Sequence, residues 1–204
     1  MKNIIVAFFV GFLVSCGTAN KAEAQSEIKV AEAFYQVSGG YPLYLIYSLR
    51  MLTYTNKYIS KYEIERLPIC PQGDINQYYN SLWVNLSLQA QQVLLQIACV
   101  DFLWPDRNSL ASCFEDSLGF ANAFEEISFL FEKRLSGITP FHSSIIVHLR
   151  NKREYAEQCE FLLKKAKKWI DNDAPDFWQW GWQWVISSQL GDINPLITGI
   201  TRDW

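Results

Sequence analysis

From residue 27 onward, apolar residues recur at intervals of three and four, the period of helices that each bury one face. Ile28, Ala31, Phe34 and Tyr35 share a face of a first helix that Ser26 is placed to cap and Gly39-Gly40 to end. Pro42 suits the first turn of the next, which carries Leu45, Ile46, Leu49 and Leu52. Ser60 and Glu63 form a capping box for a short helix that Pro68 and Pro71 terminate. Asp74 and Gln77 start another, in which Ile75, Tyr78, Tyr79, Leu82, Trp83 and Leu86 make one apolar stripe. Ser87 caps the following rod, whose wet side is marked by Gln89, Gln92 and Gln96 and which ends near Phe102.

Pro105 breaks the pattern. A shorter helix is predicted around Leu110 to Phe114, then one with Phe120, Phe124, Ile127, Leu130 and Phe131 along a face. The turn-rich stretch from Leu135 to Pro140 has room for a small β-hairpin. Three helices followed by a short hairpin is the layout of a winged helix. Beyond it, Tyr155, Cys159, Leu162, Leu163, Ala166, Trp169 and Ile170 form a long stripe, with Lys164, Lys165, Lys167 and Lys168 on a solvated face. After Asp173-Ala174-Pro175, the pairs Trp178/Trp182 and Trp180/Trp184 favour a helix wedged between neighbours over a strand. The segment from Ile193 carries no terminal signal and reads as truncated. The expected fold is mainly α: a small helical bundle over residues 26–68, a winged helix over 69–150 and the start of an α-helical repeat arm over 151–204.

Residues 1–25 differ in kind. Lys2 gives a positive start, Ile4 to Val14 are an apolar run of eleven, and Leu13-Val14-Ser15-Cys16 matches a bacterial lipobox. The run is too short for a permanent bilayer span. Cleavage there would leave Cys16 lipidated and the chain anchored in the cell envelope by a tether over Gly17 to Ser26. Two other readings stay open: a second cut after Ala22-Glu23-Ala24 would export the chain without lipid, and the apolar run also suits a buried helix of a cytoplasmic or truncated protein.

Half of the residues are hydrophobic and 15% aromatic, enough to build a core. The formal charge of -3 and pI near 5.4 offer no field for nucleic acid, and the helix before the hairpin lacks basic residues. The five cysteines have no zinc-like spacing, and Cys99 and Cys159 fall on apolar stripes as core thiols.

Four segments in order, Gly39 to Leu45, Leu67 to Ile75, Tyr78 to Trp83 and Phe141 to Ser144, resemble the rear half of bacterial STAND ATPases of the NACHT class. Ala174-Pro175, Trp178 and Gly191-Asp192 are similar to the start of the helical arm that follows in that family. The likeness covers roughly residues 27–204. It implies that Gly40, Tyr41 and Pro42 contact an adenine, the proline ring pressing on the base with no N–H to leave unsatisfied. It also implies that His142 meets a β-phosphate, as a donor whose charge is easily tuned. Without the resemblance, Gly-Gly-x-Pro is a helix stop followed by a helix start, and a lone histidine is a capping or core side chain.

No glycine lies in a phosphate-binding loop with its lysine, so hydrolysis by this chain is not expected. Ile97 to Asp101 imitates a Walker B strand but falls in a helical pattern and in the wrong order. His142 and Ser143 lack a nucleophile elbow, Glu125 and Glu126 diverge on a helix, and no metal cluster is visible. The expectation is a non-catalytic regulatory module with a protein partner and no cofactor of its own. ADP or ATP would bind only in company with a phosphate-loop domain. The alternative is a lipid-anchored envelope protein with a helical partner-binding domain.

Overall fold

The computed structural model describes residues 21–55, 59–67, 74–194 and 196–198. It is mainly α-helical, with one two-stranded antiparallel sheet among the described residues. The chain divides into two units between Asn85 and Leu86.

In the first unit, α1 (Lys21–Ser38) is followed by α2 (Pro42–Thr55), the short α3 (Lys61–Glu65) and α4 (Ile75–Asn85). The helix α1 starts earlier than the sequence pattern predicts. Lys21 to Ser26, read as part of a tether with Ser26 as cap, lies inside it, because Lys, Ala, Glu and Gln are all good helix formers. Its buried face is Ala31, Ala33, Phe34, Val37 and Ser38, while Ile28 is exposed. The predicted caps of α3 and α4 are present: Ser60 Oγ accepts from the Glu63 N–H (3.3 Å), and Asp74 Oδ1 from the Asn76 N–H (2.9 Å). Tyr44 and Tyr47 of α2 meet Tyr78 and Tyr79 of α4 in a tyrosine cluster, with the Tyr44 and Tyr78 rings edge to face at 4.8 Å. Such pairs add about 0.5–1.5 kcal/mol each beyond the area they bury.

The second unit is built around α5 (Leu88–Ala98). It is surrounded by α7 (Ser117–Ile127), α8 (Ser144–Arg150) and α9 (Arg153–Asn172). Between α5 and α7 lies the short α6 (Arg107–Ala111), capped by Asp106; it sits a few residues before the position expected from Leu110 and Phe114. The strands β1 (Phe131–Arg134) and β2 (Gly137–Pro140) follow α7, with Phe131 opposite Pro140 and Arg134 opposite Gly137. The helix predicted to run through Phe131 stops at Ile127: a single 3-10 turn carries Leu130, and Phe131 opens the strand. The hairpin is seated on the loop after α5 by a bond from the Ile138 N–H to the Trp104 carbonyl (2.8 Å). The last described long helix is α10 (Asp176–Gln189), packed on α9.

Three helices pressing on α5 leave it no wet side past Gln92. Val93 to Ala98 are all buried, and Gln96, predicted to face water, is 0% exposed. Its Nε2 donates to the Leu162 carbonyl (3.1 Å) and its Oε1 has no hydrogen-bond partner among the described residues. A buried unsatisfied oxygen costs about 1–3 kcal/mol, which offsets a hydrogen bond worth roughly 0.5–1.5. Gln96→Leu is therefore expected to leave the urea midpoint unchanged or raise it. A loss above about 2 kcal/mol would mean the amide is fully satisfied.

Ser87 caps α5 as expected, accepting from the Ala90 N–H (3.1 Å). The cap is held from α7, where the two oxygens of the Glu126 carboxylate accept from the Ser87 N–H (2.9 Å) and hydroxyl (2.7 Å). Along α9 the predicted stripe is buried from Leu162 to Ile170, and Tyr155 and Cys159 are half-buried. In α10, Trp178 and Trp182 turn to Phe102, at 5.7 and 5.4 Å between ring centroids. Trp180 is not wedged as expected but 77% exposed, beside an exposed Phe177.

Candidate functional site

Gly40, Tyr41 and Pro42 lie in the first unit, in the break between α1 and α2. Ser38 ends α1 with its Oγ accepting from the Gly40 N–H (3.0 Å), while Gly39 and Gly40 take φ of +55° and +78°. This left-handed pair turns the chain sharply, a conformation that side chains with a Cβ resist. The Tyr41 N–H donates to the Ser38 carbonyl (3.0 Å), and the Tyr41 carbonyl accepts from Leu45 (3.1 Å) as the first bond of the new helix. Pro42 then sits at the first position of α2, where no N–H is needed, with its ring exposed. An exposed proline ring on a rigid helix start can offer a flat apolar face.

His142 lies in the second unit, in the tight turn that links β2 to α8, and is exposed. Its Nδ1 lies 2.8 Å from Ser144 Oγ and accepts from the Ser144 N–H at 3.2 Å. The ring thus caps the start of α8. With Nδ1 held as an acceptor, the neutral ring carries its proton on Nε2, which makes no hydrogen bond among the described residues. Each of these two groups keeps a chemically distinct surface, a ring face at Pro42 and an N–H donor at His142. Cys16 lies outside the described residues, as do Pro68, Cys70 and Pro71.

The Walker B look-alike is the end of α5 and the loop after it. Arg150 at the end of α8 reaches there, with Nε donating to the Ala98 carbonyl (2.8 Å) and Nη2 to the Val100 carbonyl (2.9 Å) and Asp101 Oδ1 (2.7 Å). Gln189 of α10 donates to the other Asp101 oxygen (3.2 Å). Asp101 is thus the anchor of a helix-capping arginine, a role that only the folded chain reveals. Ser143 precedes α8 without a side-chain capping bond.

Cys99 and Cys113 are not poised as nucleophiles. Burial pushes Cys99 well above the ordinary range, helped by the neighbouring Cys159 and Cys113, and its Sγ–H points at the Gln96 carbonyl (3.2 Å). Burial also raises Cys113 to about 12, with Lys165 acting in the opposite sense. The Tyr155 hydroxyl is pushed up by desolvation and by its hydrogen bond with Cys159. A thiol this reluctant to ionise is unreactive at neutral pH.

A separate cavity of about 350 Å³ opens between α5 and α9. Gln89, Gln92 and Val93 line one side, Gln158, Phe161 and Lys165 the other, and Phe114 and Phe120 also contribute. Sequence patterning missed it, since it is made from three segments far apart in the chain. Among the described residues no group of three His, Cys, Asp or Glu could hold a metal ion, and no helix is long and apolar enough to cross a membrane. Comparison with protein-family models, curated proteins and solved structures finds no match for this chain.

Proposed function

We propose that this chain is a non-catalytic regulatory module of the kind that forms the rear half of a STAND-type nucleotide switch: a helical segment with a Gly-x-Pro turn, a winged helix and the first helices of an arm. The observation that carries this reading is the turn after the hairpin. The order α5, α6, α7, β1, β2 supports the winged-helix reading, and His142 directly follows it with Nδ1 tied down and Nε2–H left to donate. A donor fixed in this way suits a phosphate oxygen, since no ring reorientation is needed when the anion arrives. Exposed Pro42 supports the same reading from the other unit.

In this reading the phosphates are gripped by a domain that is not part of the described chain, so affinity for free nucleotide is low. Titration of ADP into the full chain is expected to give a Kd weaker than about 1 mM, that is less than about 4 kcal/mol of binding. At 10-fold lower concentrations no heat should be seen. Amide shift changes at high ADP are expected at Gly40 and Tyr41 or beside His142, and those beside His142 should vanish in His142→Ala. Micromolar binding, or shifts confined to other segments, would overturn the reading.

A further inference from the structure

The cavity between α5 and α9 contains none of the residues assigned above to nucleotide contact, and its chemistry is unlike theirs. At about 350 Å³ it falls at the lower end of the roughly 300–1,000 Å³ of small-molecule sites. Phe114, Phe120 and Phe161 give it an aromatic lining, and Gln89, Gln92 and Gln158 contribute carboxamides that donate and accept hydrogen bonds.

One cation stands at its wall. Lys165 Nζ is 4.7 Å from the Phe161 ring centroid and 5.2 Å from that of Phe114. The neighbouring Lys164 and Lys167 are neutralised by Glu160 and Asp171 one turn away, whereas Lys165 has no carboxylate partner among the described residues. Two rings beside it and partial burial restrict its side chain, which lowers the cost of binding an anion there. Two carboxylates also line the space, and they limit what fits. Asp116 is engaged as the cap of α7, accepting from the Gly119 N–H (2.9 Å). Glu115 is exposed and opposes negative charge on a ligand, weakening a single carboxylate somewhat and disfavouring a second one further.

We propose that this cavity binds a small amphipathic carboxylate: one negative charge on Lys165, an aromatic or branched apolar body against Phe114, Phe120 and Phe161, and polar contacts from the glutamines. Occupation would tie α9 to α5 and to the segment before α7.

The probes are 3-phenylpropionate and the uncharged 3-phenylpropan-1-ol, titrated into the full chain and followed by amide shifts of Gln92, Phe114 and Lys165. The acid is expected to bind at least 10-fold more tightly than the alcohol. Lys165→Met, on a partly exposed position, should abolish that preference while leaving the thermal midpoint and the alcohol's affinity intact. Glu115→Gln should tighten the acid two- to threefold. Equal affinity for acid and alcohol, a preference that survives Lys165→Met, or no binding of the acid at 5 mM would each overturn the proposal.

Discussion

Gly137→Ala is expected to destabilise the second unit by about 2–6 kcal/mol. The position has φ of +118°, a region open to glycine and costly for any residue with a Cβ, by roughly 1–3 kcal/mol. A methyl group there would also collide with the Trp104 carbonyl oxygen, which is itself held by the Ile138 N–H. Relief would require pulling the hairpin off the loop, and overpacking of this kind costs about 1–3 kcal/mol more. The readout is urea unfolding followed by tryptophan fluorescence, which reports the second unit because seven of the eight tryptophans follow Leu86. Leu135→Ala in the same turn, at a fully exposed side chain, is the control and should stay within about 0.5 kcal/mol. A loss below about 1 kcal/mol for Gly137→Ala would mean that the hairpin is not seated on Trp104.

That contact explains what could and could not be read from residue order. The helices were legible because each carries a stripe at helical spacing and most carry a local cap: Ser60, Asp74 and Ser87 act within a few residues of themselves. The Gly39-Gly40-Tyr41-Pro42 turn was legible for the same reason, since a left-handed glycine pair and a helix-opening proline are properties of the chain itself. Where a tertiary neighbour decides, the pattern misled. Gln96 reads as polar and therefore wet, yet α7, α8 and α9 cover α5 from several sides. Phe131 continues an apolar helical stripe but pairs with Pro140 instead.

The candidate sites divide in the same way. His142 stood out only through the family resemblance, and the state of its ring depends on Ser144, which no spacing rule reveals. Lys165 is one of four lysines that together look like a solvated face; only the rings of Phe114 and Phe161 distinguish it. Arg150 was invisible because its partners lie about fifty residues earlier, in the carbonyls at the end of α5. A fork that satisfies two such carbonyls and a carboxylate at once joins α8 to the loop that leads to Trp104.

Trp104→Ala is expected to have the other large effect, about 3–5 kcal/mol of lost stability in the second unit, the range for removal of a buried tryptophan. The ring is 1% exposed and touches Phe102 and Trp169, at 5.2 and 5.0 Å between centroids. Phe102 in turn meets Trp169, Trp178 and Trp182, so one aromatic cluster joins the loop after α5 to α9 and α10. Truncation would open a cavity at its centre that the rigid rings around it cannot close. Trp104→Phe should cost far less. It keeps an aromatic face for Phe102 and Trp169, and it removes the buried Trp104 Nε1–H, which has no hydrogen-bond partner among the described residues and carries a penalty of about 1–3 kcal/mol. The two variants, compared by urea midpoint and by near-ultraviolet circular dichroism, separate packing from polarity. If Trp104→Phe is as damaging as Trp104→Ala, the indole N–H is satisfied in the folded protein, and the cluster is held by a hydrogen bond as well as by ring contacts.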